Sequence, residues 1–116
     1  MSSMSRKVLV YGRSFTIFQL INRPPITPSY QLFFTSSLYD LVPGRVTSDV
    51  VLVGGAVPES ERQEIVRRFD GSKTAVALIP QGALLDWGRD KVVAGIFNVL
   101  NESVKQRDEK VAGGKE

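Results

Sequence analysis

Asp49-Val50-Val51-Leu52-Val53-Gly54-Gly55-Ala56-Val57-Pro58 is the stretch that decides the fold of this chain. Four apolar residues in a row, three of them β-branched, read as a strand buried on both faces, as in a parallel sheet. Gly54 and Gly55 make a turn. Pro58 suits the first turn of a helix, where no backbone donor is needed. Glu59, Glu61 and Glu64 load the front half of that helix with negative charge, and Arg67 and Arg68 close it, which complements the helix dipole. Ile65 and Phe69 stand four apart beside Val66, so one side is apolar, and Asp70-Gly71 ends the helix. In an open α/β sheet, ligands sit outside the carboxyl ends of the strands. Here that end carries two glycines and no acid, histidine or cysteine.

The same alternation continues on both sides. Upstream, Lys7-Val8-Leu9-Val10-Tyr11 is a short apolar strand ending at Gly12. Ser14 is a candidate cap for a helix over 15–22, with Phe15, Phe18 and Ile21/Asn22 at helical spacing. Pro24, Pro25 and Pro28 stop it and predict an extended connector. Tyr30-Gln31-Leu32-Phe33-Phe34-Thr35 is a second strand. Ser37 with Asp40 forms a capping-box variant for a short helix from Leu38, which Pro43-Gly44 ends.

Downstream, residues 73–79 form a fourth strand, broken by Pro80-Gln81-Gly82. Residues 83–87 make a separate helical turn before Gly88. Asp90 caps a last helix that runs to about Gln106, with Val93, Ile96/Phe97, Leu100 and Val104 on one face. Gly95 weakens that helix by about 1 kcal/mol or lets a neighbour approach closely. Residues 107–116, charged and glycine-containing, are expected to be a disordered tail, leaving residues 1–106 as one domain.

Strands alternating with helices predict a parallel sheet with right-handed crossovers, in the order 2-1-3-4. The order reverses between the first and third strands. The loops meeting there are Tyr11-Gly12-Arg13-Ser14 and Gly54-Gly55-Ala56. The expected core includes Val8, Val10, Leu32, Phe34, Val51, Val53, Val76, Leu78, Phe69 and Phe97.

Composition narrows the chemistry. With 116 residues, 42% hydrophobic and 23% charged, the chain suits one globular domain. The apolar runs fall far short of the roughly 20 residues that span a bilayer, and the start is too short for a signal peptide, so no membrane and a cytoplasmic location are expected. Cysteine and histidine are absent. That excludes disulfides, the commonest general base and the commonest metal ligand, so neither a metal nor another cofactor is expected. The formal charge is +3, but the basic residues are scattered, which argues against a nucleic-acid partner.

The strand order, and the way Asp49-Val50-Val51-Leu52-Val53-Gly54 is followed by Gly55-Ala56-Val57-Pro58, resemble the receiver domain of bacterial response regulators. The resemblance covers about residues 6–80 and implies a three-layer, flavodoxin-like α/β sandwich, truncated to about four strands. It places the family's two magnesium-binding acids on Tyr11 and Gly12 and its phosphoacceptor aspartate on Gly54. The family's switch Ser/Thr falls near Ile79-Pro80, and its conserved lysine has no counterpart. The resemblance therefore implies a pseudo-receiver, without the acids for phosphoryl transfer: a non-catalytic regulatory or interaction module.

Gly12-Arg13-Ser14 is either an anion site before a helix or a plain glycine turn. Gly54-Gly55 lets a ligand approach the backbone closely or makes a tight turn with positive φ. Together Gly12, Arg13, Ser14, Gly54 and Gly55 are the candidate site for a small anionic ligand or nucleotide, the alternative function. Arg62, Arg67 and Arg68 form a phosphate face or, with the interleaved glutamates, a solvated ion-pair face. Asp40, Asp86 and Asp90 are expected to be caps. The nearly all-apolar fourth strand at a sheet edge, and a last helix apolar beyond one stripe, predict a homodimer or a protein partner. Ala77, Trp87, Val92, Ile96, Phe97 and Leu100 are the expected contact residues, Trp87 being either an interface anchor or a core residue.

Overall fold

The computed structural model describes residues 6–13, 15–24, 26–88 and 90–113. It contains a four-stranded, all-parallel sheet in the order 2-1-3-4, an α/β, flavodoxin-like arrangement with helices on both faces. Strand β1 (Arg6–Tyr11) lies between β2 (Tyr30–Thr35) and β3 (Val50–Val53), and β4 (Ala75–Leu78) pairs with the far side of β3. The register sets Val8 opposite both Leu32 and Val50, and Tyr11 opposite both Thr35 and Val53. Asp49 ties the strand starts together. Its N–H donates to Lys7 O at 2.8 Å, and its carboxylate accepts from Lys7 N at 2.9 Å.

All four residues of β3 are fully buried, as its unbroken apolar run requires. On one face, Val8, Val10, Leu32, Val50, Leu52 and Ala77 pack under α1 (Phe15–Ile21), α2 (Ile26–Ser29), α4 (Ala83–Trp87) and α5 (Val92–Gly113). On the other, Tyr11, Val51 and Val53 pack under Ile65 and Phe69 of α3 (Glu59–Phe69) and under Leu41. Among the described residues no helix is long and apolar enough to cross a membrane.

Several local expectations are corrected. The proline-rich connector is not wholly extended: Ile26–Ser29 makes a turn of helix, broken at Thr27 (φ −88°, ψ 146°). Pro28 follows Thr27 and disfavours the helical region there. The helix expected from Leu38 is a single 3-10 turn, Leu38–Asp40. Ser37 Oγ accepts from Tyr39 N as a cap should, but Asp40 accepts from the Thr35 hydroxyl instead of closing a box.

The last helix does not stop near Gln106. It continues to Gly113, and Arg107 donates to Asp49 O at 3.1 Å and to Lys73 O at 3.2 Å, so the presumed start of a tail is a clasp on the sheet. Leu78 is 37% exposed rather than core, because Ala77 and Ile79 take the face under α5 and α4 while Leu78 lies beyond the cover of α3.

Candidate functional site

The end of β1 and the turn after β3 meet as the topology requires: Gly54 N donates to Tyr11 O at 2.9 Å, and Gly12 N to Thr35 O at 3.3 Å. Gly12, Arg13, Gly54, Gly55 and Ala56 line one cavity of about 50 Å³ with Val10, Tyr11, Ile17, Ile21, Phe34 and Ile79. Of the five expected ligand-site residues, four are thus brought together; Ser14 lies outside the described residues.

The polar groups at this mouth already hold one another. Glu61, in the first turn of α3, accepts the Tyr11 hydroxyl at 2.8 Å on Oε1 and pairs through Oε2 with the Arg13 guanidinium at 2.5 Å. Burial pushes the Tyr11 hydroxyl above its ordinary value, and the Glu61 carboxylate that accepts its proton adds to the shift. Arg62 is only 5% exposed, and its Nη1 donates to Gly54 O at 2.9 Å. Its Nε is buried without a hydrogen-bond partner among the described residues; the nearest carboxylate oxygen, Glu59 Oε1, is 3.7 Å away. Among the described residues no group of three or more acids, histidines or cysteines is placed to hold a metal ion.

The two readings of the glycine pair are separated. Positive φ occurs at Gly71, Gly82 and Gly88, not at Gly54 or Gly55. A Cβ on Gly55 would lie 2.9 Å from Pro80 O, and one on Gly54 would lie 3.5 Å from Tyr11 O. Close approach is the reason for Gly55, and what approaches is this chain's own backbone after β4.

The arginines of α3 belong to ion pairs. Glu64 binds Arg67 at 2.5 Å and Arg68 at 2.9 Å, and these contacts, Arg67 first, hold its carboxyl below the usual range. Arg68 also donates to Leu38 O and Leu41 O, pinning the segment after β2 onto α3. Besides them, Arg62 is spent on Gly54.

The expected interface residues mostly fall inside the chain. Ala77, Val92, Ile96 and Leu100 are at most 1% exposed, packed between sheet and α5, so they are not offered to a partner. The extra apolar flank of α5 finds its cover locally. Phe97 meets the Tyr30 ring edge-on at 6.1 Å, and Tyr30 donates to Asn101 at 2.6 Å. Trp87 lies against Gly95, half-buried. What the sequence reading missed is Glu61, taken there for a dipole-complementing charge, and the exposed pair formed by Val66 of α3 and Leu78 of β4. For Glu61 no local signal exists, since its partners are 50 and 48 residues away.

Comparison with protein-family models, with curated proteins and with solved structures returns no match.

Proposed function

We propose that the chain is a non-catalytic regulatory module, shaped like a receiver but independent of phosphorylation, that works in the cytoplasm by dimerising or docking to a protein partner in signal transduction. The observation that carries this reading is the self-pairing of the switch point. Glu61 engages both Tyr11 and Arg13, Arg62 engages Gly54 O, and Pro80 O fills the space beside Gly55. An incoming phosphoryl group meets glycine at position 54, so no carboxylate stands there to accept it.

A second reading, a binder of a small anionic ligand or nucleotide, is favoured by one feature. Arg13 stands at the cavity's mouth with its side chain 46% exposed. Such a ligand has to displace Glu61 from Arg13, a surface ion pair of about 1 kcal/mol or less. A thermal-shift screen of nucleotides and phosphorylated metabolites separates the two. The proposed reading expects no ligand-dependent rise in melting temperature. A rise that disappears in Arg13→Ala would replace it with the second reading.

A further inference from the structure

We propose that the free edge of β4, with the α3 surface beside it, binds a second copy of this chain about a twofold axis and joins two four-stranded sheets into one. The inference rests on the interaction-module reading and names its partner.

Among the described residues β4 is the last strand of the sheet and pairs only with β3. The bonds Ala75 N to Asp49 O and Ile79 N to Val53 O, both 3.0 Å, fix its phase. Odd-numbered residues turn their backbone groups toward β3, so Val76 and Leu78 turn theirs outward. The usual guards of an edge stand only at its ends: Lys73 before the strand, where Arg107 caps its carbonyl, and Pro80 after it. An outward row of backbone donors and acceptors is chemically specific for another extended strand. A twofold axis at Ala77 sets Val76 opposite the partner's Leu78, and each such pair exchanges two N–H···O bonds.

Charge selects a second copy of the chain. Beside this edge Val66 and Leu78 are exposed, at 42% and 37%. They lie in one groove with Glu59 at the start of α3, the inward-turned Arg62, Arg67 in the last turn of α3, 74% exposed and shared with Glu64, and Asp70 just past that turn. A twofold axis lays α3 antiparallel to its copy, so each acidic start faces a basic end, and both pairings occur at once. A partner of a single charge sign gains at one end and loses at the other. β2, at the opposite edge, contains no charged residue and sets no direction for a partner.

Sedimentation equilibrium at micromolar concentration tests this, with twice the chain mass of 12.8 kDa as the expected result. Val76→Pro removes an outward N–H and no bond to β3, so it should give the single-chain mass with an unchanged far-UV spectrum; Leu78→Lys is the second variant should proline disturb the strand. Glu59→Arg and Arg67→Glu should each weaken association about 3- to 10-fold, and the double exchange should restore it. A single-chain mass for the parent at every concentration overturns the inference, as does a dimer that survives Val76→Pro and Leu78→Lys. A single-chain parent that also binds no small anion removes the second copy and leaves the interaction module standing. An anion-dependent rise in melting temperature lost in Arg13→Ala removes the module reading itself.

Discussion

Replacing Gly95 with alanine sets two effects of opposite sign against each other. A Cβ there would lie 2.6 Å from Trp87 Cε3 and 2.7 Å from Cδ2 and Cζ3. Carbon atoms prefer about 3.5–4.0 Å, so the ring has to retreat by roughly 1 Å. Alanine in place of a helical glycine stabilises by about 1 kcal/mol. Overfilling a packed contact costs about 1–3 kcal/mol. The clash wins, with a net loss of about 1 kcal/mol. α4 is the element that gives way, because it has five residues and stands between Gly82 and Gly88, both at positive φ, whereas α5 is a 22-residue helix anchored in the core by Val92, Ile96, Leu100 and Val104.

Trp87 is the sole tryptophan, so the emission of the intact protein reports on it directly. Urea unfolding followed by circular dichroism gives the energy, and emission of the folded variant should move to the red as the ring enters water. The double variant closes the cycle: in a Trp87→Ala background, Gly95→Ala should stabilise by about 1 kcal/mol. A Gly95→Ala protein that gains stability with unchanged emission would refute the docking of α4 on α5.

Three other outcomes follow from the same structure. Val51→Asp places an unpaired carboxylate in a fully buried central strand and should cost about 4 kcal/mol or more, enough to leave no cooperative melt; a variant that melts like the parent contradicts the strand assignment. Ending the chain after Gln106 removes Arg107 and its bonds to Asp49 O and Lys73 O, and should destabilise by about 1–2 kcal/mol, with Arg107→Ala giving most of that loss; equal melting temperatures would show that the clasp contributes nothing. Glu64 is held below its ordinary value near 4.5, so its contribution to stability is present above that pH and is lost as pH falls through the lower, folded value. Glu64→Gln should therefore flatten the acid side of the melting-temperature profile, and an unaltered slope would contradict the Arg67 and Arg68 pairing.

The sheet was legible because its signals are local. The runs around Val10, Phe34, Val51 and Val76 are short, apolar and bounded by glycine, proline or serine, and the helical patterns between them dictate parallel pairing and the order 2-1-3-4. The Ala56-Val57-Pro58 junction and the charge order of α3 were likewise visible. Burial at the sheet edge was not. Alternation names Val76 and Leu78 as one face of β4 but does not say that α3 leaves Leu78 uncovered. The excess apolar surface of α5 looked like a dimer face because Phe97's cover, Tyr30, comes from 67 residues earlier and Trp87's from across a turn. Arg13 looked free because the residue that holds it, Glu61, is joined to it only by the fold.

The self-pairing of the switch point is tested most directly by amide spectra of the labelled protein during titration with magnesium and acetyl phosphate. The expected result is that the Gly12, Gly54 and Gly55 signals stay where they are and the intact mass does not change. Saturable movement of those three signals, or a mass gain of one phosphoryl group, would contradict it.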